Sequence, residues 1–499
     1  MAAPTDLHQS SRTSEEGAGW LNCSGPGTWK DDVPPGTKSL SWLRPSTLWQ
    51  SRNDFIAKYL ADPITAARNR WVKQAQAAGA PPDFVISRAA GDTVSVLVIG
   101  DTGEGDKSQY AVAGPLAAMS EGADFAVICS DVVYPTGDRG DYGRVFHHPY
   151  RNLKLPIYAV PGNHDWYDGL HGFMHYFCGL DDADYQPEFG RGPRAGLAAR
   201  CWRRSLQQAS DSAVGGERPR PDPLQPAPYF AIDAGPVRFV GIDTGITGEI
   251  DEDQYQWLKR VSLDAPERPK ILLTGKPIYV DNKYRNRPVS GTSETVDDIV
   301  TDPRANYVMV IGGDTHNYQR YPVVVADGRT IQYIVSGGGG AYMHATHRIP
   351  PVNVHGVDES MFRCYPLRRD SLARFSQVID KKLFGGSGRV ALDGPAAARF
   401  YAQRGSITPG SNRPVADRLL LREWIRAQVV HSIPAGRLFH RFGSEAFDFD
   451  EPPFFKQFLR IDVDRTEITV RCFGVTGCAG TEYTPPVEDQ FTIEPRRTP

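Results

Sequence analysis

The chain has 499 residues, a length that at about 150 residues per domain admits three domains or one elaborated α/β domain. A hydrophobic content of 40% suffices for a sizeable core and excludes disorder as the main state. Lysine plus arginine number 56 against 59 aspartates plus glutamates, so the net charge of −3 sets up no global field toward nucleic acid or anionic lipid. Any positive charge that meets a phosphate must be local.

Residues 1–16 are polar and lack the basic head, apolar middle and small-residue cleavage site of a secretory leader. No apolar run approaches the roughly 20 residues of a membrane span. The seven cysteines (Cys23, Cys129, Cys178, Cys201, Cys364, Cys472, Cys478) are an odd, scattered set without a CxxC pair. They are expected to be thiols in a reducing, cytoplasmic setting, with Cys472 and Cys478 on one hairpin as the pair that export would join.

Residues 1–90 read as an irregular arm followed by a helical stretch over 53–78, capped at Asn53, divided at Pro63 and stopped at Gly79. Residues 91–350 read as the core. There, compact apolar runs at 94–99, 125–129, 157–160, 237–242, 270–273 and 307–311 each end in a polar and glycine-rich cluster. Buried strands with crossover helices look like this, and open α/β sheets place ligands at such carboxyl ends. Residues 181–228 read as an inserted surface loop. Residues 351–456 read as a second insertion, with helical patterns at 367–383 and 417–432 and an aromatic-rich stretch at 439–458. Residues 457–499 supply a hairpin (458–463, 467–473) and a last strand (489–493) that complete the core.

An aspartate after a strand is ordinarily a turn former, but the set of strand-end residues here is unusual. Asp101, Asp131, Tyr134, Asn163, His164, Asp314 and His316 are oxygen and imidazole donors expected on one rim. Such donors suit Fe, Mn or Zn, and Asp131 is placed to bridge two ions.

These blocks resemble the calcineurin-like metallophosphoesterases, and within them the purple acid phosphatase branch. Gly100-Asp101-Thr102-Gly103 is similar to the GD-x-G block and Ser130-Asp131-Val132-Val133-Tyr134 to GD-x-x-Y. Pro161-Gly162-Asn163-His164-Asp165 is similar to GNH[DE], and Asp314-Thr315-His316-Asn317-Tyr318-Gln319-Arg320 to GH-x-H-x-Y-E-R. Asp253-Gln254-Tyr255-Gln256-Trp257-Leu258 resembles the Q-x-x-W-L helix after the strand end Ile242-Asp243-Thr244. The resemblance covers about residues 93–345 and the C-terminal strands. It implies an α/β fold of two mixed β-sheets packed as a sandwich and flanked by helices.

The resemblance also implies metal-dependent phosphoester hydrolysis, with a metal-bound hydroxide attacking phosphorus in line, on a phosphorylated small molecule or protein; nucleic acid is not expected, because the sequence shows no extended basic groove. Carried over residue by residue, a first ion takes Asp101, Asp131, Tyr134 and His316. A second takes Asp131 and Asn163 plus two histidines that this sequence lacks: Lys276 and Asp314 stand there instead. A protonated lysine has no lone pair to give a metal. The expectation is therefore one ion, with Lys276 in or near the second position and paired with Asp314. The rival reading makes Asp314 a metal ligand and Lys276 an orienter of phosphate, and an impaired member that only binds a phosphorylated ligand or a protein is the alternative to an enzyme. His164 is expected to contact substrate phosphate or protonate the leaving oxygen, with Asp165 or its neighbourhood fixing the ring. Lys283, Arg285 and Arg287 are expected to form an anion-binding edge.

Overall fold

The computed structural model describes residues 23–37, 40–88, 91–182, 184–203, 225–403, 419–432 and 451–495. The readings on residues 1–16 and on most of the aromatic-rich stretch, 439–450, lie outside these.

Two mixed sheets form the body. The first, of six strands, runs Val487–Ile493, Ile468–Val475, Lys456–Val463, Val94–Ile99, Phe125–Cys129 and Ile157–Val160. Its last three strands are parallel, and the C-terminal hairpin joins them antiparallel through Lys456–Val463. The second, of eight, runs Val85–Arg88, Phe230–Ala234, Val237–Ile242, Lys270–Thr274, Tyr307–Gly312, Thr330–Ser336, Tyr318–Val324 and Arg363–Tyr365.

Alternation along the strands builds the layers. Val96, Val98, Val127 and Val160 face a core shared with Phe239 and Val240 of the larger sheet. Their neighbours Leu97, Ile99, Ile128 and Ala159 pack instead with Val112 and Leu116 of the helix Lys107–Ala118. Both faces of the parallel strands are thus buried, which is why they read as unbroken apolar runs. Tyr318 and Arg320 tie the sheets together: the phenol donates to Asp489 Oδ2 at 2.7 Å, and Arg320 spans both oxygens of the same carboxylate at 2.6 and 3.1 Å. The Gln254 side chain closes on the backbone of Asp243 at 2.8 and 2.9 Å, fixing the strand end that Arg68 also grips.

Several expectations need correction. The arm is not wholly irregular, since it carries a 3-10 turn, Thr28–Asp32, and a helix, Pro45–Gln50. The strand Val85–Arg88 pairs in parallel with Phe230–Ala234, so the larger sheet begins before residue 91. Arg363–Tyr365 adds to its other edge from within the second insertion. These short strands lack the long apolar run that marks a central one. Pro63 does divide the helical stretch, into Asn53–Tyr59 and Ile64–Ala77.

The cysteine expectation fails: Cys478 is joined to Cys23, 455 residues away, while Cys472 remains a buried thiol. A partner that distant leaves no spacing pattern to read. No helix among the described residues is long and apolar enough to cross a membrane.

Candidate metal centre

The site lies where the two sheets present their carboxyl ends to each other. Asp101, Asp131 and Asn163 follow Val94–Ile99, Phe125–Cys129 and Ile157–Val160 of the smaller sheet, and Lys276, Asp314 and His316 follow Lys270–Thr274 and Tyr307–Gly312 of the larger. Asp101, Asp131 and Asp314 all have positive φ, 55°, 21° and 61°, a conformation that costs a non-glycine residue about 1–2 kcal/mol. Three strained carboxylates on one rim mark a site held in shape by its surroundings. Glycine makes the approach possible: a Cβ on Gly162 would lie 2.1 Å from Asp131 Oδ1, and one on Gly313 2.5 Å from Asp101 Oδ2.

One half of the site is rich in lone pairs. The Tyr134 hydroxyl lies 3.2 Å from Asp101 Oδ1, 3.0 Å from Asp131 Oδ2 and 3.1 Å from His316 Nε2. His316 Nδ1 donates to the Tyr342 carbonyl at 2.7 Å, so Nε2 is the bare acceptor. The His316 ring stacks on His344, 4.4 Å between centroids and 10° apart in plane, and its backbone N–H donates to His344 Nδ1. One phenolic proton cannot serve two carboxylates and an imidazole nitrogen at once. Burial first, then the neighbouring Asp131 and Asp314, push the Asp101 carboxyl well above the usual range. Burial and the same Asp101 and Asp131 push up the Tyr134 phenol.

This donor set asks for a cation. Among the described residues, no three His, Cys, Asp or Glu side chains alone form a metal-holding group. The phenol of Tyr134 is the atom that links Asp101, Asp131 and His316, and with it the four donors fit an ion of the Fe, Mn or Zn kind.

The other half already contains a cation. Lys276 Nζ donates to Asn163 Oδ1 at 3.0 Å and pairs with the Asp314 carboxylate, and the lysine side chain is only 8% exposed. Asn163 Nδ2 in turn donates to Tyr167 Oη at 2.8 Å. Arg287 lies beside this pair, donating to the Pro277 carbonyl at 2.6 and 3.1 Å; burial lowers its pKa to about 10 although Asp314 opposes the change. Lys283 and Arg285 are exposed on the same loop. Of the expected anion-binding edge, then, only Arg287 sits against the centre.

His164 takes its place through the backbone: its N–H donates to Asp131 Oδ1 at 2.7 Å and its Nδ1 to the Pro135 carbonyl at 2.8 Å. The ring is therefore held by Pro135, and the expectation that Asp165 fixes it is corrected. The Asp165 carboxylate instead accepts the N–H groups of Val132, Val133 and Gly162 at 3.0–3.3 Å, clamping the Asp131 and Asn163 loops together. Burial and Asp131 raise its pKa to about 8 against the pull of those three donors. Sequence reasoning also missed Trp42. It reaches the site from the arm and packs with Tyr134, Ala341 and Tyr342, in a stretch with no periodicity to reveal it.

Residues 94–318 match the family model for calcineurin-like phosphoesterase. Those residues, a little under half of the chain, form a calcineurin-like phosphoesterase domain. Among solved structures it is similar to the purple acid phosphatase PPD1 from yellow lupin (Lupinus luteus) seeds, at 11% identity and a TM-score of 0.43, covering 81% of this chain and 54% of that one. It thus spans about half the length of the lupin protein. It is also similar to GAP50, the anchor in the inner membrane complex of Plasmodium, at 10% identity and a TM-score of 0.40, covering 82% and 90%. PhoD is matched at 11% identity and a TM-score of 0.33, covering 82% and 71%. No curated protein matches the chain.

Proposed function

We propose that this metallophosphoesterase hydrolyses a phosphoester with one metal ion, the Lys276 ammonium standing where the family pattern supplies ligands for a second. The observation that carries this reading is the contact of Lys276 with both Asn163 and Asp314, two of the positions at which that second ion would be held. Asp131 and Tyr134, together with Asp101 and His316, are the residues that would hold the one ion. When bound, it supplies Lewis acidity toward water and a phosphoryl oxygen.

The chain's own residues do the rest. Lys276 offers fixed positive charge to the phosphoryl oxygens that gain negative charge in the transition state, and Asp314 keeps it protonated and aimed. Arg287 adds a second positive charge beside it. His164, with Nδ1 held by Pro135, offers Nε2 to carry a proton to the leaving oxygen. Asp165 acts on the backbone, keeping the Asp131 and Asn163 loops in register. The substrate class of this reading is a phosphorylated small molecule or protein.

The same ammonium also favours a second reading, a member that binds a phosphorylated ligand without cleaving it. Purified protein assayed with para-nitrophenyl phosphate and its bis ester, beside calorimetric titration with inorganic phosphate, separates the two. Metal-dependent turnover supports the hydrolase. Phosphate binding with no turnover of any ester at any added Fe, Mn or Zn rejects it in favour of the binder.

A further inference from the structure

The N-terminal arm enters the site without belonging to any sequence block. Trp42 is 4% exposed, and its ring meets His164 edge to face at 4.9 Å between centroids and 70° between planes. It also meets Tyr134 at 5.9 Å and Tyr342 at 6.5 Å. Its indole N–H points to Glu104 Oε1 at 3.3 Å, on the loop that leads away from Asp101. The His164 ring donates from Nδ1 to the Pro135 carbonyl, and Trp42, with Tyr134 at 4.5 Å and Tyr167 at 4.6 Å, forms an aromatic wall packed against that ring.

The arm itself is anchored on both sides of Trp42. Upstream, Cys23 is bonded to Cys478, Gly27 N–H and the Trp29 indole both donate to the Gly477 carbonyl, and Glu482 accepts the N–H groups of Thr28 and Trp29. Trp29 also packs on Phe454, with 5.5 Å between centroids. Downstream, the Asn53 amide donates to the carbonyls of Tyr167 and Arg203 and accepts from Arg203 N–H. Tyr167 is the ring against His164, so the downstream anchor grips the wall that Trp42 completes.

We propose that Trp42 is a positioning residue of this site, holding the His164 imidazole in its bond to Pro135, and that the Cys23–Cys478 bond latches the arm that delivers it. The inference rests on the hydrolase reading for its kinetic consequence but not for its geometry. A histidine that must hand over a proton loses rate steeply when misplaced by an ångström, and the loss falls on kcat rather than on binding.

The test compares Trp42→Ala, Trp42→Phe and Cys23→Ser with the unaltered chain, using para-nitrophenyl phosphate and, separately, the rate at which diethyl pyrocarbonate labels His164, read by peptide mass spectrometry. Trp42→Ala is expected to lower kcat about 10- to 100-fold with KM little changed, and to speed labelling of His164 severalfold. Trp42→Phe restores most of both, and Cys23→Ser shifts both in the same direction by less. Trp42→Ala added to His164→Ala lowers kcat no further, because the tryptophan acts through the ring that is gone.

Unchanged kcat and unchanged labelling in Trp42→Ala overturn the proposal, as does an additive loss in the double variant. Unchanged values in Cys23→Ser overturn the latch. If no variant and no parent turns over the ester, the hydrolase reading fails and the labelling rates alone decide the role of Trp42.

Discussion

The two sheets contribute unlike halves to one site. The smaller sheet brings Asp101, Asp131 and Tyr134, which with His316 gather lone pairs around a point and hold no cation of their own. The larger sheet brings Lys276 against Asp314, and Arg287 lies beside the pair from the loop beyond, so that half carries positive charge of its own. The contrast teaches that two halves of one rim can differ in the sign of what they present: one gathers lone pairs, the other carries an ammonium and a guanidinium. It also shows that the unlike pair singled out in the sequence, Lys276 and Asp314, meets in the fold.

The comparison can be broken most severely at Asp101. Asp101→Ala removes a donor from the lone-pair half alone, and is expected to bring both metal content and turnover to background; elemental analysis and a phosphatase assay on one preparation check it. Next comes His164→Ala, expected to keep its metal and lose about 10²- to 10⁴-fold in kcat. Retained turnover there would remove the histidine from the chemistry.

Lys276→Met tests the half that carries the ammonium. One ion should remain while kcat falls about 10²- to 10³-fold, the loss typical of one charge-stabilising donor. Lys276→His combined with Asp314→His sharpens the same point, because rebuilding imidazoles at both positions should let the protein take up a second ion.

The smallest effect concerns a single lysine. Lys270 is buried, donates to the carbonyls of Ala265 and Arg268, and burial lowers its pKa from 10.5 to about 8 although Glu267 and Asp264 oppose the change. Between those values the unfolded chain holds a proton that the folded chain has lost, so this group's contribution to stability rises with pH. Relative to Lys270→Met, the unaltered protein should therefore gain unfolding free energy from about pH 8 to 10.5, measured by urea denaturation. A flat difference would mean that Lys270 stays charged in the fold.

Much of this was legible in the sequence because strand ends and their polar residues are local. The runs at 94–99, 125–129, 157–160 and 237–242 coincide with strands, and the unlike pair Lys276 and Asp314 could be picked out from the blocks that carry them. What was not legible depends on distance along the chain. Cys23 meets Cys478 across 455 residues, Trp42 meets His164 from an arm with no period, and Arg68 spans from a helix to Asp243 and Asp251. Asp165 was misread for a different reason. A carboxylate beside a histidine suggests a ring partner, yet this one accepts three backbone N–H groups.

The central claim is that Lys276 takes the place of one ion. It is tested most directly by counting Fe, Mn and Zn per chain in protein purified without chelator, beside Asp101→Ala. One ion per chain, lost in that variant, is the predicted result; two ions per chain in the unaltered protein, or none, would contradict it.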